Sequence, residues 1–322
     1  MGFLRLLFTR RKQTGISAKV VEDSKSFYFI DGKIVGGIRL TTFQLRYPRF
    51  IHAELMTHRV FSRNASSSRA IPVLTMLKEI IADPAMPVYW GANQKGMQAK
   101  AELAGWRRRL AIRAWRAARY PAVAAAYISY KIGLHKQIAN RICEPWAYIN
   151  VLVTATEYKN WFNLRRHEDA QPEIRELADR MFEAREMSKP ARLRKGQWHL
   201  PYLQSWERDS LSTADALKVS VARCARVSYL THDQKAPDLA QDIALYDRLV
   251  GSTPLHASPA EHQATPDDID PKSLAKVTEQ AFWTRSDLWK YAPSTFEHSH
   301  LHGNLRGFIQ YRKTLPSEFV AG

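Results

Sequence analysis

Residues 51–69 read IHAELMTHRVFSRNASSSR. The apolar side chains in 51–62 have helical spacing and predict a helix, and the serine-rich residues 64–69 predict a loop. Together they would present His58, Arg59, several hydroxyl groups and Arg69 at a turn, a combination that can bind a phosphate. A solvated serine-rich loop explains the same residues equally well, so this segment alone leaves both interpretations open.

The chain before this segment reads as β-structure. Residues 19–50 contain two stretches typical of strands, 26–30 and 38–45. Asp31-Gly32 between them is a favoured hairpin turn. These residues therefore predict an antiparallel pair of strands that leads into the segment.

Helices and strands follow after the segment. An Ala/Arg-rich stretch over 98–141 predicts a long helix that breaks at Tyr120-Pro121, with Trp106 and Leu110 facing the core. The other predictions are a strand over 151–156, a helix over 172–187, a strand over 218–230, a helix over 239–250 and a loop over 256–262. This pattern predicts an α+β fold, with a twisted and mainly antiparallel sheet flanked by long helices.

The net charge of the chain indicates which classes of partner it can bind. Lys+Arg number 48 against 31 Asp+Glu, which gives a net charge of +17 among 322 residues. Such a field attracts polyanions: nucleic acids, or nucleotides and phosphate-bearing cofactors. The basic run 106–119 could bind RNA, although such runs more often form amphipathic helices with solvated arginines.

Membrane and secretory segments are not expected. No stretch approaches the roughly 18–20 apolar residues of a membrane span. Residues 1–12 are apolar first and basic afterwards, the reverse of a secretory signal. A cytoplasmic protein is therefore predicted.

The cysteines and the domain organisation complete this outline. Cys143 and Cys224 give no disulfide framework and no zinc spacing, so we interpret both as small core residues.

A connector that contains Pro and Trp divides the chain. The predicted parts are an N-terminal extension (1–15), a first half (16–187), the connector (188–213) and a second half (214–322).

Two further segments carry binding chemistry. Arg165 follows two aromatic and two Asn residues in 160–165, and its planar fork of donors can read a base edge, although a surface charge explains it too. The segment from His256 to His262 reads HASPAEH and could suggest a metal site. Its spacing is not that of a zinc protease and no further ligand completes the set, so no metal is expected.

These segments together resemble the flavin-dependent thymidylate synthases. The signature of that family is Arg-His-Arg, seven residues and then Ser; His58-Arg59 and Ser67 have this spacing, with Thr57 in place of the first Arg. A second family pattern, Asn-x-x-Asn-Leu-Arg…Ala-Gln-x-Glu-Ile, is matched by Asn160, Asn163, Leu164, Arg165, Ala170, Gln171, Glu173 and Ile174. A third, Ala-Arg-Val-Ser-Tyr followed by His-x-Ser/Thr-Pro-x-Glu-His, is matched by 225–229 and 256–262.

The order of the segments is unusual for this family. The third pattern commonly precedes the signature, whereas here it follows. The chain therefore looks circularly permuted or partly duplicated, similar to a divergent form associated with bacteriophages and prophages. Residues 303–313 lie where the family's own Gln-x-x-Arg-His-Arg helix would follow the His-x-Ser-Pro loop.

The resemblance implies an enzyme that makes dTMP from dUMP with FAD, NADPH and 5,10-methylenetetrahydrofolate. It also implies a homo-oligomer, with a pyrimidine deoxynucleotide rather than nucleic acid as its partner. The implied catalytic residues are Arg165, which would hold and polarise the pyrimidine ring, and Ser67. The implied flavin and folate contacts are His58, Arg59, Asn160, His256 and Ser258. The implied nucleotide contacts are Glu54, Thr57, Ser66, Ser67, Ser68, Arg69, Arg141, Leu164, Arg165 and Gln310.

Departures from the family leave other functions open. Glu54 stands where the family has Gln, Thr57 for Arg, and Ala65 for Glu. Gln310, Arg306 or Arg312, on an expected C-terminal helix, is a candidate to restore the missing donors. One alternative is the same chemistry on dCMP, which would give a methylated or hydroxymethylated cytosine nucleotide for phage DNA. Another is a non-enzymatic nucleic-acid-binding or scaffold protein, which would bind no flavin.

Overall fold

The computed structural model describes residues 15–30, 33–229, 238–252, 255–273, 293–316 and 318. Its strands are β1 (Ser17–Ile30), β2 (Lys33–Pro48), β3 (Ser62–Ala65), β4 (Tyr148–Ala155), β5 (Ala191–Leu193), β6 (Ala264–Pro266) and β7 (Phe308–Gln310). Its helices are α1 (His52–Met56), α2 (Val73–Ala82), α3 (Gly105–Lys131), α4 (Lys136–Ala139), α5 (Lys159–Arg165), α6 (Pro172–Met187), α7 (Ser205–Ser210), α8 (Thr213–Tyr229) and α9 (Leu239–Val250). The predicted turn at Asp31-Gly32 and residues 1–14 of the N-terminal extension lie outside the described residues.

A five-stranded sheet with the order β3-β4-β2-β1-β5 forms the centre of the fold. All neighbouring pairs are antiparallel except β1 with β5. The mixed α+β prediction is confirmed, as are the predicted helices over 172–187 and 239–250. None of the helices in the described ranges combines the length and apolar character that a membrane crossing requires.

The β1–β2 pair is long and irregular at two points. Its register shifts between Val20 and Glu22 and again between Lys25 and Phe27. Near the second shift, the backbone N–H of Ile38 donates to Oγ of Ser26 at 2.9 Å. A Cβ on Gly37 would lie 2.0 Å from that same Oγ, so only glycine permits this close approach.

Both faces of the sheet are covered. One face packs through Phe43 and Val151 against Ile174 and Met181 of α6. On the other face Leu152 contacts Cys224 of α8. Burial on both sides explains why β4 reads as a nearly continuous apolar run rather than an alternating one.

The predicted strand over 218–230 is wrong, because residues 218–229 lie in α8; residue 230 lies outside the described residues. Its β-branched residues Val219, Val221 and Val227 are all buried. The helix lies between the sheet and α9, so it is apolar on several sides and shows no narrow helical stripe. Tertiary packing outweighs the modest helix propensity of valine here.

The predicted break of the long helix at Tyr120-Pro121 is also wrong. Helix α3 continues through Pro121, which is exposed. The opposite side of the helix is anchored, since Ala126 packs against α2 and Nε1 of Trp115 donates to the carbonyl of Ala85 at 2.9 Å. This packing offsets the hydrogen bond that proline cannot make.

The predicted orientation of α3 is reversed as well. Trp106 is 63 % exposed and Leu110 56 % exposed, whereas Arg119 is only 9 % exposed. The face that packs on the protein is built from Trp115, Arg119 and Ala126. The apolar side chains at the start of α3 therefore point away from the core.

The boundaries around the signature segment (57–69) differ from the prediction. The helix ends at Met56 instead of reaching Ser62. Residues 62–65 form β3, which pairs with β4, so the predicted loop begins only after Ala65. The middle of the signature segment is thus fixed by the hydrogen bonds of a sheet.

Candidate functional site

Arg165, the last residue of α5, binds the segment that ends α1. Its Nε donates to Nε2 of His58 at 3.0 Å, and its Nη2 donates to Oγ1 of Thr57 at 3.2 Å. Its Nη1 lies 3.4 Å from Oε2 of Glu54. One guanidinium therefore joins the two family patterns that are separated by about a hundred residues in the sequence.

The contact fixes the protonation of His58. Arginine can only donate, so Nε2 of His58 must accept and the ring proton must sit on Nδ1. Burial, together with the charges of Arg165 and Arg63, lowers the pKa of His58 to about 4. At neutral pH, His58 is a neutral acceptor that orients the charged arginine.

Local packing determines this arrangement. Oγ1 of Thr57 donates to the carbonyl of Glu54 at 2.7 Å, which satisfies the end of α1. The next residue, His58, meets the buried Trp161 edge to face at 4.7 Å. Trp161 lies one helical turn before Arg165 on α5, so the indole contact places the guanidinium beside His58.

The three serines of the signature segment have different surroundings. Ser66 and Ser68 are buried. Ser66 pairs with Asn150 through its backbone N–H and its Oγ, at 2.8 Å and 3.0 Å. The hydroxyl of Ser68 donates to Glu144 at 2.7 Å. Both residues hold the loop in place, and their hydroxyls are engaged inside the protein.

Ser67 points the other way, towards Arg69. Its Oγ accepts from the backbone N–H of Arg69 at 3.3 Å and from Nε of that residue at 3.4 Å. Arg69 and Arg141 are both exposed. Arg141 follows Asn140, whose side chain donates to the carbonyl of Ser68 at 2.7 Å and so links the two basic residues to one loop. Of the predicted phosphate contacts, Ser67, Arg69 and Arg141 remain accessible.

The C-terminal part of the chain closes over β3. The amide of the buried Gln310 donates to Oγ of Ser62 at 3.3 Å, to the carbonyl of Glu261 at 3.1 Å and to Oδ1 of Asn304 at 3.0 Å. Arg312 pairs with the Glu261 side chain. The structure thus engages Gln310 and Arg312 within the protein, where they connect the His-x-Ser-Pro loop to the signature segment.

The predicted cofactor contacts are mostly at the surface. Arg59, Asn160, His256 and Ser258 are exposed, in contrast to the buried His58. Leu164 is 49 % exposed. Glu261 lies at the end of the loop that carries Ser258. Its negative charge favours the charged form of Arg63 in β3 and so opposes the lowering of the Arg63 pKa by burial. The loop and the signature segment are therefore neighbours, although the sequence places them about two hundred residues apart.

A buried chain of hydrogen bonds passes through the sheet, and no sequence pattern predicted it. It runs Ser24 Oγ–His199 Nδ1 (2.8 Å), His199 Nε2–Thr42 Oγ1 (2.7 Å), Thr42 Oγ1–Thr154 Oγ1 (2.6 Å) and Thr154 Oγ1–His262 Nδ1 (2.8 Å). Nε2 of His262 has no partner among the described residues. Burial lowers the pKa of His262 to about 3, so both histidine rings of this chain are neutral.

A cluster around Asp267 lies apart from these residues. The Asp267 carboxylate accepts from Nδ1 of His298 and Nε2 of His302, both at 2.9 Å. Asp267, Glu297 and His298 have the proximity of metal ligands. The carboxylate also accepts the backbone N–H groups of His298 and Asp268, so four donors already satisfy it. We interpret the cluster as a structural clamp.

Part of the sequence matches the model of a known protein family. Residues 40–191 match the model of the thymidylate synthase complementing proteins. No curated protein sequence matches the chain.

Two solved structures of a UMP/dUMP methylase, PolB from Streptomyces cacaoi, are similar to the chain. The structure bound with 5-Br dUMP is 18 % identical over 52 % of this chain and 89 % of the methylase, with a TM-score of 0.40. The structure bound with 5-Br UMP is 20 % identical over 53 % of this chain and 89 % of the methylase, with a TM-score of 0.42.

The match covers the residues that meet at the guanidinium. Glu54, Thr57, His58 and Arg165 all fall within the matched range, whereas 225–229 and 256–262 fall outside it. The resemblance stated for the signature and for the Asn-Leu-Arg pattern is confirmed over this range. Residues 40–191, just under half of the chain, are similar to the thymidylate synthase complementing protein family.

Proposed function

We propose that this protein transfers a one-carbon unit to C5 of dUMP and forms dTMP. The observation that carries the proposal is the guanidinium of Arg165, held by Glu54, Thr57 and His58 at the family signature. Three of its five N–H groups are used by these contacts. The other two, one on each terminal nitrogen of this partly exposed guanidinium, are available to donate to the edge of a pyrimidine ring.

The neighbouring residues suit the rest of the nucleotide. Ser67, Arg69 and Arg141 offer a hydroxyl and two cations at one loop, which is the chemistry of a phosphate site. Arg165 would then stabilise negative charge on a ring oxygen or nitrogen when C5 becomes nucleophilic. This mechanism needs no enzyme nucleophile. Both cysteines are buried, and burial raises the pKa of Cys143 to about 11.

The residues at the surface fit part of the cofactor set. The cation of Arg59 and the amide of Asn160 are exposed and suit an anionic dinucleotide such as FAD. His256 and Ser258 lie on a loop next to the signature segment and suit a flavin ring or folate. His58 fits less well, because its Nε2 already accepts from Arg165. Flavin and methylenetetrahydrofolate would supply the hydride and the one-carbon unit, with NADPH as the reductant.

We further propose that the enzyme is a cytoplasmic homo-oligomer. The resemblance suggests sites that are shared between subunits. A permuted or duplicated chain would alter which subunit supplies each segment.

The test is an anaerobic incubation of the purified protein with FAD, NADPH, methylenetetrahydrofolate and equimolar dUMP and dCMP, followed by mass spectrometry. We expect dTMP from the wild type and none from Arg165→Ala. The matched control is Arg166→Ala, since Arg166 is adjacent but pairs with Asp179 at 2.8 Å. Equal turnover of the two variants would contradict the role of Arg165.

A second candidate substrate is dCMP, and Glu54 favours it. Its carboxylate lies beside the Arg165 fork and can accept from the exocyclic amine of cytosine. The same incubation distinguishes the two, because a modified dCMP differs in mass from dTMP. A protein that forms neither product and binds no flavin, but binds DNA or RNA with an affinity that falls steeply as salt is added, would instead be a nucleic-acid-binding protein.

A further inference from the structure

Helix α3 has one face packed on the protein and one face open. At 27 residues it is roughly 40 Å long. Its inner face carries Trp115, Arg119 and Ala126, which pack towards α2 and the segment 140–146. Opposite lies a row that we call the outer seam: Leu110, Ala114, Ala117, Pro121, Ala124 and Ile128, all of them exposed.

The spacing of the outer seam is that of a helix-pairing surface. Its steps are four, three, four, three and four residues, which keep one apolar line along the helix. Only uncharged residues occupy it. The small side chains in the middle would let another helix approach closely, and an exposed apolar line of this length is unusual for an unpartnered helix.

The order of side chains in the seam is palindromic by size. Leu110 and Ile128 lie at the ends, Ala114 and Ala124 come next, and Ala117 and Pro121 flank the centre. Two copies in antiparallel orientation would place Leu110 on Ile128, Ala114 on Ala124 and Ala117 on Pro121 of the partner subunit. This self-complementarity is what a two-fold interface requires.

The charges along α3 select the same orientation. Arg107, Arg109, Arg113 and Arg116 are clustered in its first half, and the described exposed residues between Tyr120 and Tyr130 carry no charge. A parallel pair would bring the arginines together, whereas an antiparallel pair separates them. It also sets them beside the partner's tyrosines and the negative end of its helix dipole.

The flanking residues agree with the register of the seam. In the antiparallel register, Arg109 and Arg116 come within two residues, about 3 Å of rise, of Tyr127 and Tyr120 of the partner subunit. All four side chains lie on the same flank of the helix, as calculated from 100° per residue. Arginine can stack on tyrosine or donate to its hydroxyl across such a distance.

We propose that two copies of this chain pair through the outer seams of α3, antiparallel, about a two-fold axis that passes between Ala117 and Pro121. The occupant of the seam is a second copy, because the seam complements itself in size and in charge. This interface is independent of the chemistry proposed above.

The mass of the particle in solution tests the interface. Light scattering should give an even number of chains for the wild type. Ala117→Arg sets an arginine opposite Pro121 of the partner subunit on each side of the two-fold axis, with the two like charges about 6 Å apart along the helix, and should halve the mass. Ala118→Arg makes the same change one residue away, off the seam, and should leave the mass unchanged. A monomeric wild type, or an Ala117→Arg variant with unaltered mass, would overturn the proposal.

Cross-linking tests the orientation. A mixture of Leu110→Cys and Ile128→Cys chains, oxidised with copper phenanthroline, should form a disulfide-linked dimer that contains one chain of each kind. Leu110→Cys alone should give little dimer, as should Ala118→Cys alone. A parallel pair would instead cross-link Leu110→Cys with itself, and that result would refute the antiparallel register. Both native cysteines are buried and give no background dimer.

Discussion

Nε of Arg165 donates a 3.0 Å hydrogen bond to Nε2 of His58. The bond joins the end of α5 to the residue after α1, and it requires a neutral histidine next to a charged arginine. Because Glu54 and Thr57 hold the other two arms, the orientation of the guanidinium is set before any ligand binds.

Arg165→Lys should keep the positive charge and lose the fork. Lysine has a single terminal nitrogen. It therefore cannot contact His58, Thr57 and Glu54 and also donate two hydrogen bonds to the pyrimidine ring. We expect kcat for dTMP formation to fall by about a hundredfold or more, the size seen when one transition-state donor is removed. Steady-state kinetics measures this. Arg166→Lys should be close to wild type, and a similar loss in that control would indicate general disruption.

The pKa of His58 should rise when Arg165 is removed. Burial lowers it first, and the charge of Arg165 lowers it further, to about 4. In Arg165→Ala only burial and the charge of Arg63 remain, so the pKa should lie above that of the wild type yet still below 6.5. Histidine ring resonances followed by NMR through a pH titration give both values. An unchanged pKa would show that the two side chains are not in contact in solution.

Acid should destabilise the protein through its neutral buried histidines. The pKa of His262 is lowered to about 3 in the folded state, so the unfolded chain takes up its proton first, near pH 6.5. The stabilisation is complete above that pH and is lost progressively as the pH falls towards 3. Urea unfolding at a series of pH values should therefore show a smaller loss for His262→Gln than for the wild type between pH 6.5 and 4. Equal slopes would mean that His262 is solvated.

Thr154→Val should interrupt the buried chain of hydrogen bonds. It removes the partner of Nδ1 of His262, at 2.8 Å, and leaves that buried atom unsatisfied, whereas Thr42 loses its 2.6 Å contact but keeps His199. The expected loss in the free energy of unfolding is about 1–3 kcal/mol per unsatisfied group. Thr156→Val is a matched control, because the Thr156 hydroxyl is buried and has no partner within the described residues. That variant should be neutral or slightly stabilised, and the two together isolate the hydrogen bonds from the change of shape.

Local sequence determined the elements that carry a simple pattern. Helix α6 and helix α9 begin and end where their apolar spacing predicted, and β4 follows from its run of β-branched residues. The spacing of His58, Arg59 and Ser67, taken together with the Asn-Leu-Arg and His-x-Ser-Pro patterns, indicated the family. These features depend on residues close together in the chain, so a short window of sequence contains them.

Tertiary structure decided what depends on distant neighbours. Burial on several sides makes α8 a helix despite its valines, and anchoring by Trp115 and Ala126 keeps α3 continuous through Pro121. The cross-strand register brings Thr42 opposite Thr154, and only then can His199 and His262 join them. The same sequence fixes which residues can donate or accept, but packing between segments far apart in the chain sets which of them meet, since hydrogen bonds act only over about 3 Å.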